Sequence, residues 1–214
     1  MNSKIIKKRK KRVINAFHHA WSFWPLLLAH HPQCANFNGH TLNFGRVRLC
    51  IGCFVGYPTA YISIFIIYYL NLLNIIPYQS FLVIGLILLS TFFLSFTNLT
   101  KIKIIKVIQK IFIGIGAAFL FWWIWSRDAP ISVRYYTFSL IFGLIVGILN
   151  LYHAYGFFIK CYKCNTPFAW GSCAGFKFIR DYQAKYNLRN IFEEMDNYSK
   201  RLIQKREEKK RLKS

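Results

Sequence analysis

Six cysteines and six histidines are the residues of this chain best suited to chemistry, and four of the cysteines form two CxxC pairs. Cys50 and Cys53 lie in LCIGCFVGY, Leu49 to Tyr57, and Cys161 and Cys164 lie in KCYKCN. Thiolates and imidazoles are the ligand set of tetrahedral zinc, at Zn–S distances of about 2.3 Å. An i, i+3 spacing sets both thiols of a pair on one helix face. Each pair also adjoins an apolar stretch: the first runs forward into one, and another ends at Phe158 just before the second. In an antiparallel four-helix bundle the first and last helices are neighbours. The two pairs are therefore expected to face each other at one membrane surface as a four-thiolate site.

The remaining candidate ligands are Cys34, Cys173, His30, His31, His40 and His153. His30, His31 and His40 crowd into one short loop. A local alternative is a Cys₃His site of Cys34, His40, Cys50 and Cys53. Cys161, Cys164 and Cys173 would then need a fourth ligand such as His153. The residues suffice for two sites, and spacing leaves the partition open. An iron–sulfur cluster also accepts four thiolates, but nothing supplies an electron partner, so zinc is the expected metal. The plainer reading of each thiol is a small buried hydrophobe; two pairs beside a histidine-rich loop weigh toward metal. His153 falls inside an apolar stretch, where titratable groups are functional suspects. Its plainer reading is a neutral ring hydrogen-bonded between helices, with Asn150 one turn away.

These thiols are positioned by apolar segments. The 214 residues are 55% hydrophobic and 19% aromatic, with a formal net charge of +22. Charge and grease are segregated. Uncharged runs imply transmembrane helices, because lipid offers no partner to free backbone groups. At about twenty residues per crossing, four spans are expected: residues 51–70, 81–96, 111–125 and 137–158. The third is free to begin earlier, with Lys103, Lys106 and Lys110 snorkelling. Trp122, Trp123 and Trp125 suit an interfacial belt. Gly143 and Gly147 form a G-x-x-x-G, expected to pack helices within the chain.

The fold class is thus an all-α membrane protein: four transmembrane helices, a Cys/His-rich cytosolic module and an amphipathic N-terminal interfacial helix. Phe17, Trp21, Trp24 and Leu28 make one apolar face on that helix, and basic flanks place such a helix at the headgroup level. Pro25 and the following His30 and His31 weigh against a cleaved signal peptide. The expected divisions are residues 1–49 (basic terminus, interfacial helix and Cys/His loop), 50–159 (the bundle), 160–175 (a cysteine cluster) and 176–214 (a basic C-terminal helix).

With four spans, both termini share a side with the Lys101 to Lys110 loop. Every lysine and arginine except Arg127 and Arg134 falls there. The positive-inside rule makes that side cytoplasmic, giving a multi-pass protein of the cell (plasma) membrane with its cysteines kept reduced. Expected partners are the lipid bilayer, anionic headgroups at the basic termini and a cytosolic protein. No specific nucleic acid is expected, since basic and aromatic residues are not interleaved on a soluble fold. No span holds Asp or Glu, which argues against a proton relay. Phosphate-loop, HExxH and G-x-S-x-G motifs are absent, so no catalytic residue is assigned.

The segment HHPQCANFNGHTLNFGRVRLCIGCFVGY, His30 to Tyr57, resembles an uncharacterised family of small polytopic prokaryotic membrane proteins. In that family a Cys/His loop leads into L-C-x-x-C at the first span. The resemblance covers about thirty residues at Cys34, Cys50, Gly52 and Cys53, with His30 or His31 as the histidine, and implies architecture without an activity. The paired cysteines also resemble, less closely, quinone-linked disulfide-generating proteins and vitamin K epoxide reductases. That resemblance implies the alternative of a membrane thiol–disulfide oxidoreductase, although the cysteines of those proteins work on the opposite side.

Overall fold

A computed structural model describes residues 3–45 and 47–212. The chain is mostly helical, and four stretches are long and apolar enough to cross a membrane: Gly52–Tyr69, Tyr78–Phe96, Lys103–Trp125 and Ile131–Tyr162. Two compact units divide it. One comprises Met1–Asn38, Gly45–Arg48 and Ala154–Ser214; the other comprises Gly39–Phe44 and Leu49–His153.

The first unit begins with α1 (Ser3–Ser22) and α2 (Trp24–Ala29). The expected continuous interfacial helix breaks at Phe23, immediately before Pro25 in the first turn of α2, where a proline costs least. The break leaves Val13, Ile14, Phe17 and Trp21 exposed along one side of α1, with Phe17 and Trp21 stacked at 6.0 Å. The other side packs on α8 (Lys177–Lys185). There His18 Nδ1 lies 3.0 Å from the Tyr182 hydroxyl, and its ring stacks on Tyr186 at 4.1 Å. The basic side chains of Lys4 to Lys11 lie outside the described residues.

The C-terminal stretch is not one helix. It turns at Asn187, which is left-handed (φ 51°), before α9 (Glu193–Arg211). The reason is apolar burial: Phe176, Ile179 and Phe192 form a core with Phe23, Leu26, Trp170 and Cys173. A single straight helix cannot deliver both Phe176 and Phe192 to that core.

The loop after α2 holds a 3₁₀ turn, Ala35–His40, and a two-stranded hairpin, β1 (Thr41–Phe44) and β2 (Val47–Cys50). Alternating short segments of TLNF and VRLC are too brief for periodicity to reveal. Gly45, at φ 57°, makes the turn.

The second unit is built around α6 (Lys103–Trp125), which packs against α3 (Tyr57–Tyr69) and α5 (Tyr78–Ser90). The helix does begin at the lysines. Gly114 lets α3 approach, and Gly116 lets α5 approach. A Cβ at Gly114 would stand 2.6 Å from the Gly56 carbonyl oxygen, and one at Gly116 2.9 Å from Leu88 Cβ. Without a hydrophobic drive between helices in lipid, such close contact supplies the association energy. Trp122 faces inward more than the expected belt: its indole N–H donates to the Ile64 carbonyl at 3.0 Å, and its ring stacks on Tyr68.

A polar clasp closes the same core. Gln109 is buried, and its amide donates to the Thr91 carbonyl at 2.7 Å and Ser95 Oγ at 2.8 Å. These lie on the 3₁₀ continuation of α5, Thr91–Phe96, whose carbonyls a regular helix would have satisfied. We expect Gln109→Leu to lower stability in detergent by about 1–2 kcal/mol, the range of interhelical hydrogen bonds in membranes. Equal unfolding midpoints for the two proteins would contradict the clasp.

The last span, α7 (Ile131–Tyr162), has no buried residue. It runs longer than expected at both ends: Arg134 donates to the Ala129 and Trp125 carbonyls, and Cys161 lies on its last turn. The G-x-x-x-G packing expected at Gly143 and Gly147 is not found among the described residues, since a Cβ at either meets nothing within 4 Å. The expected pairing of first and last spans gives way to the central position of α6, because the small residues that permit close approach lie on that helix.

Candidate metal centre

The structure sorts the cysteines by unit. Cys34, Cys161, Cys164 and Cys173 belong to the first, and Cys50 and Cys53 to the second. All six are free thiols.

In the first unit, four sulfur-bearing side chains line one cavity: Cys34, Cys161, Cys164 and Cys173. Three elements deliver them. Cys34 follows the tight turn after α2; Cys161 ends α7, and Cys164 lies on the turn beyond it, its N–H on the Cys161 carbonyl at 3.4 Å. The i, i+3 helix spacing expected for this pair fails because the helix stops between the two thiols. Cys173 caps a single 3₁₀ turn, Ala174–Phe176, and its sulfur accepts the Gly175 N–H at 3.3 Å. Cys34 accepts the Asn36 N–H in the same i+2 manner. Hydrogen bonds from backbone N–H favour the anionic form of an acceptor.

Gly175 ties two of these elements together. The Gln33 N–H donates to its carbonyl at 2.9 Å. A Cβ there would stand 2.8 Å from Pro32 Cβ and 3.2 Å from Cys34 Cβ. Behind the thiols, Phe168 is left-handed at φ 56° and buried, an outlier for a bulky residue that only surrounding packing sustains. Phe158 at 5.0 Å supplies part of that packing. The turn brings Trp170 round so that its buried indole N–H is aimed at the Cys161 sulfur.

Charged groups hold the outside of this loop. Asp196 on α9 accepts from the Gly171 N–H at 2.8 Å and the Ser172 N–H at 3.2 Å. Arg206 donates to the Cys164 carbonyl at 3.4 Å and to the Tyr162 carbonyl, and covers the Tyr162 ring at 4.6 Å. It thereby satisfies carbonyls that the end of α7 leaves open. Replacing Asp196 with alanine strands two N–H groups just ahead of Cys173. We expect a loss of about 1–3 kcal/mol and faster metal release to a chelator; unchanged release would show that the loop holds its shape without Asp196.

Burial pushes the Cys34 thiol up, with the neighbouring Cys173 and Cys164 sulfurs adding to the shift. Thiolates so gathered repel one another when no cation lies between them. Four soft donors, two of them taking backbone N–H bonds, fit the chemistry of a structural zinc site.

In the second unit, Cys50 ends β2 and Cys53 sits in the wide first turn Gly52–Gly56, ahead of α3. This pair too misses the expected single helix face, because Cys50 still belongs to the strand. The two sulfurs nonetheless lie within 4.8 Å of each other. The Cys53 thiol donates to Cys50, and together with the Cys53 and Gly52 N–H groups and the charge of His153 it holds the Cys50 thiol well below the usual range.

His31 is buried and stacks on Phe37 at 4.6 Å; it belongs to the first unit, and His40, half-buried, to the second. Trp170, Asp196 and Arg206 are the supporting residues that spacing does not reveal; their signal is tertiary. No family model matches this sequence, and neither a curated protein nor a solved structure matches it.

Proposed function

We propose that this chain is a multi-pass protein of the plasma membrane with both termini cytoplasmic. In this reading its cytosolic face carries a zinc-binding thiol module with a structural or partner-docking role. The observation that carries the reading is the convergence of Cys34, Cys161, Cys164 and Cys173, from three separate elements, on one cavity. Zinc there would cross-link the segment after α2, the end of α7 and the loop before α8, and would neutralise thiolates that otherwise repel. The proposed orientation rests on the lysine and arginine distribution. The exposed row Val13, Ile14, Phe17 and Trp21 supports headgroup-level binding of α1, with anionic lipid as the partner of its basic end. The likeness of residues 30–57 to the small polytopic family stands as a proposal of kinship.

Elemental analysis of the protein purified in mild detergent, without chelator or histidine tag, tests the module. Zinc that disappears in a Cys161→Ser, Cys164→Ser variant supports it; a wild-type protein without zinc overturns it. A membrane-impermeant thiol reagent on intact cells tests the side: protected cysteines support cytosolic placement, and labelled ones reverse it.

A further inference from the structure

The pair at the start of the first span is not used by the four-thiol cavity. Cys50 is only 3% exposed, yet its surroundings suit an anion. The Gly52 and Cys53 N–H groups and the Cys53 thiol all donate to its sulfur. Two cationic or metal-ligating side chains of the same unit come near. His153 is close enough for its charge to act on Cys50. Lys110 reaches the same spot: a Cβ on Gly52 would stand 3.7 Å from Cys50 Sγ and 3.9 Å from Lys110 Cε. A buried thiolate demands compensation, and a plain hydrophobic cysteine needs none of these donors.

We propose that Cys50, Cys53 and His153 belong to a second metal centre, in the other unit from the four-thiol cavity, that takes a zinc-class divalent ion. Sulfurs within 4.8 Å of each other need little movement to share one ion, and imidazole joins thiolate readily in such sites. His153 thereby has a reason to stand inside an apolar helix. The Gly52 and Cys53 N–H groups would be outer partners that set the basicity of the Cys50 sulfur. Lys110 would serve the metal-free state, shielding the thiolate until an ion arrives. The centre would fasten the strand β2 to the first and last spans at the depth where they leave the membrane.

The test uses the whole protein in mild detergent. Metal is stripped with a chelator under reducing conditions, and zinc is added back. Alkylation of each cysteine by N-ethylmaleimide is then mapped by mass spectrometry with and without zinc. The expected result is zinc-dependent protection of Cys50 and Cys53, a content of two zinc per chain, and loss of one in His153→Ala. That variant should bind the affected ion at least about 10–100-fold more weakly, with Cys34, Cys161, Cys164 and Cys173 still protected. Equal alkylation of Cys50 and Cys53 with and without zinc would overturn the proposal, as would recovery of the pair as a disulfide from protein handled without reductant. Protection of the four-thiol set is read at its own cysteines, so a failure at one centre is distinguishable from a failure at the other.

Discussion

Serine at both Cys161 and Cys164 is expected to abolish zinc binding in the first unit and to open the loop that follows α7. Structural zinc in small metal modules contributes about 10–16 kcal/mol of apparent binding energy at neutral pH. A whole domain is stable by only about 5–15 kcal/mol. The residues between Tyr162 and Lys177 have little else to hold them. Pro167, Phe168 and Ala169 are buried, but Lys163, Asn165 and Thr166 are exposed. What packing the loop has runs through Trp170 and Cys173 into the Phe176, Ile179 and Phe192 core. Serine oxygen is a poor zinc ligand, and it returns two polar groups to a cavity that Trp170 and Phe168 otherwise keep apolar. Trypsin should therefore cut the variant rapidly after Lys163 and Lys177, both exposed, while cutting the zinc-loaded parent slowly. Unchanged zinc content and digestion in the variant would show that the loop is shaped by its aromatic packing alone. The spans should survive in either case, since the second unit has its own core at Ile67, Phe81 and Ala118.

The membrane helices were readable in the sequence because the bilayer imposes a length and forbids charge. Their starts were less so. Ile131 to Tyr136 joined α7 because Arg134 found carbonyls at Ala129 and Trp125, a pairing invisible to hydropathy. The CxxC pairs announced metal or redox chemistry through residue type, but their spacing misled about geometry. Each pair straddles the end of an element, Cys50 at the close of a strand and Cys161 at the close of a helix. The helical i, i+3 rule holds only where the helix continues. The grouping of Cys34 with Cys161, Cys164 and Cys173 was not legible at all. It depends on Gly175 allowing Pro32 and Cys34 to approach and on a buried Phe168 in a left-handed turn. Both are consequences of tertiary packing, and neither leaves a periodic trace.

Alanine at Gly114 and Gly116 is expected to cause the largest loss of stability of any change in the second unit that adds only a methyl group. A Cβ at Gly114 would lie 2.6 Å from the Gly56 carbonyl oxygen, 2.9 Å from Thr59 Cβ and 3.1 Å from the Ala60 nitrogen. Two of those three are backbone atoms and cannot swing aside. At Gly116 the partners are Leu88 Cβ, the Gly85 carbonyl oxygen at 3.0 Å and the Leu89 nitrogen at 3.1 Å. The two positions lie toward different neighbours, so a double variant pushes α6 away from α3 and α5 together. Overpacking of this kind costs about 1–3 kcal/mol per site, against which helix propensity returns roughly 0.5–1 kcal/mol for each glycine replaced. The net expectation is a loss of about 1–4 kcal/mol for the pair, read as an earlier midpoint when folded protein in mild detergent is titrated with dodecyl sulfate. Gly143→Ala and Gly147→Ala are the internal controls. The same methyl groups there meet nothing within 4 Å, so only the propensity gain remains, and the midpoint should hold or rise slightly. Should the two pairs of substitutions shift the midpoint alike, the close approach of α3 and α5 to α6 would not be what holds this unit together. A fall confined to Gly143 and Gly147 would point instead to a second chain packed on α7.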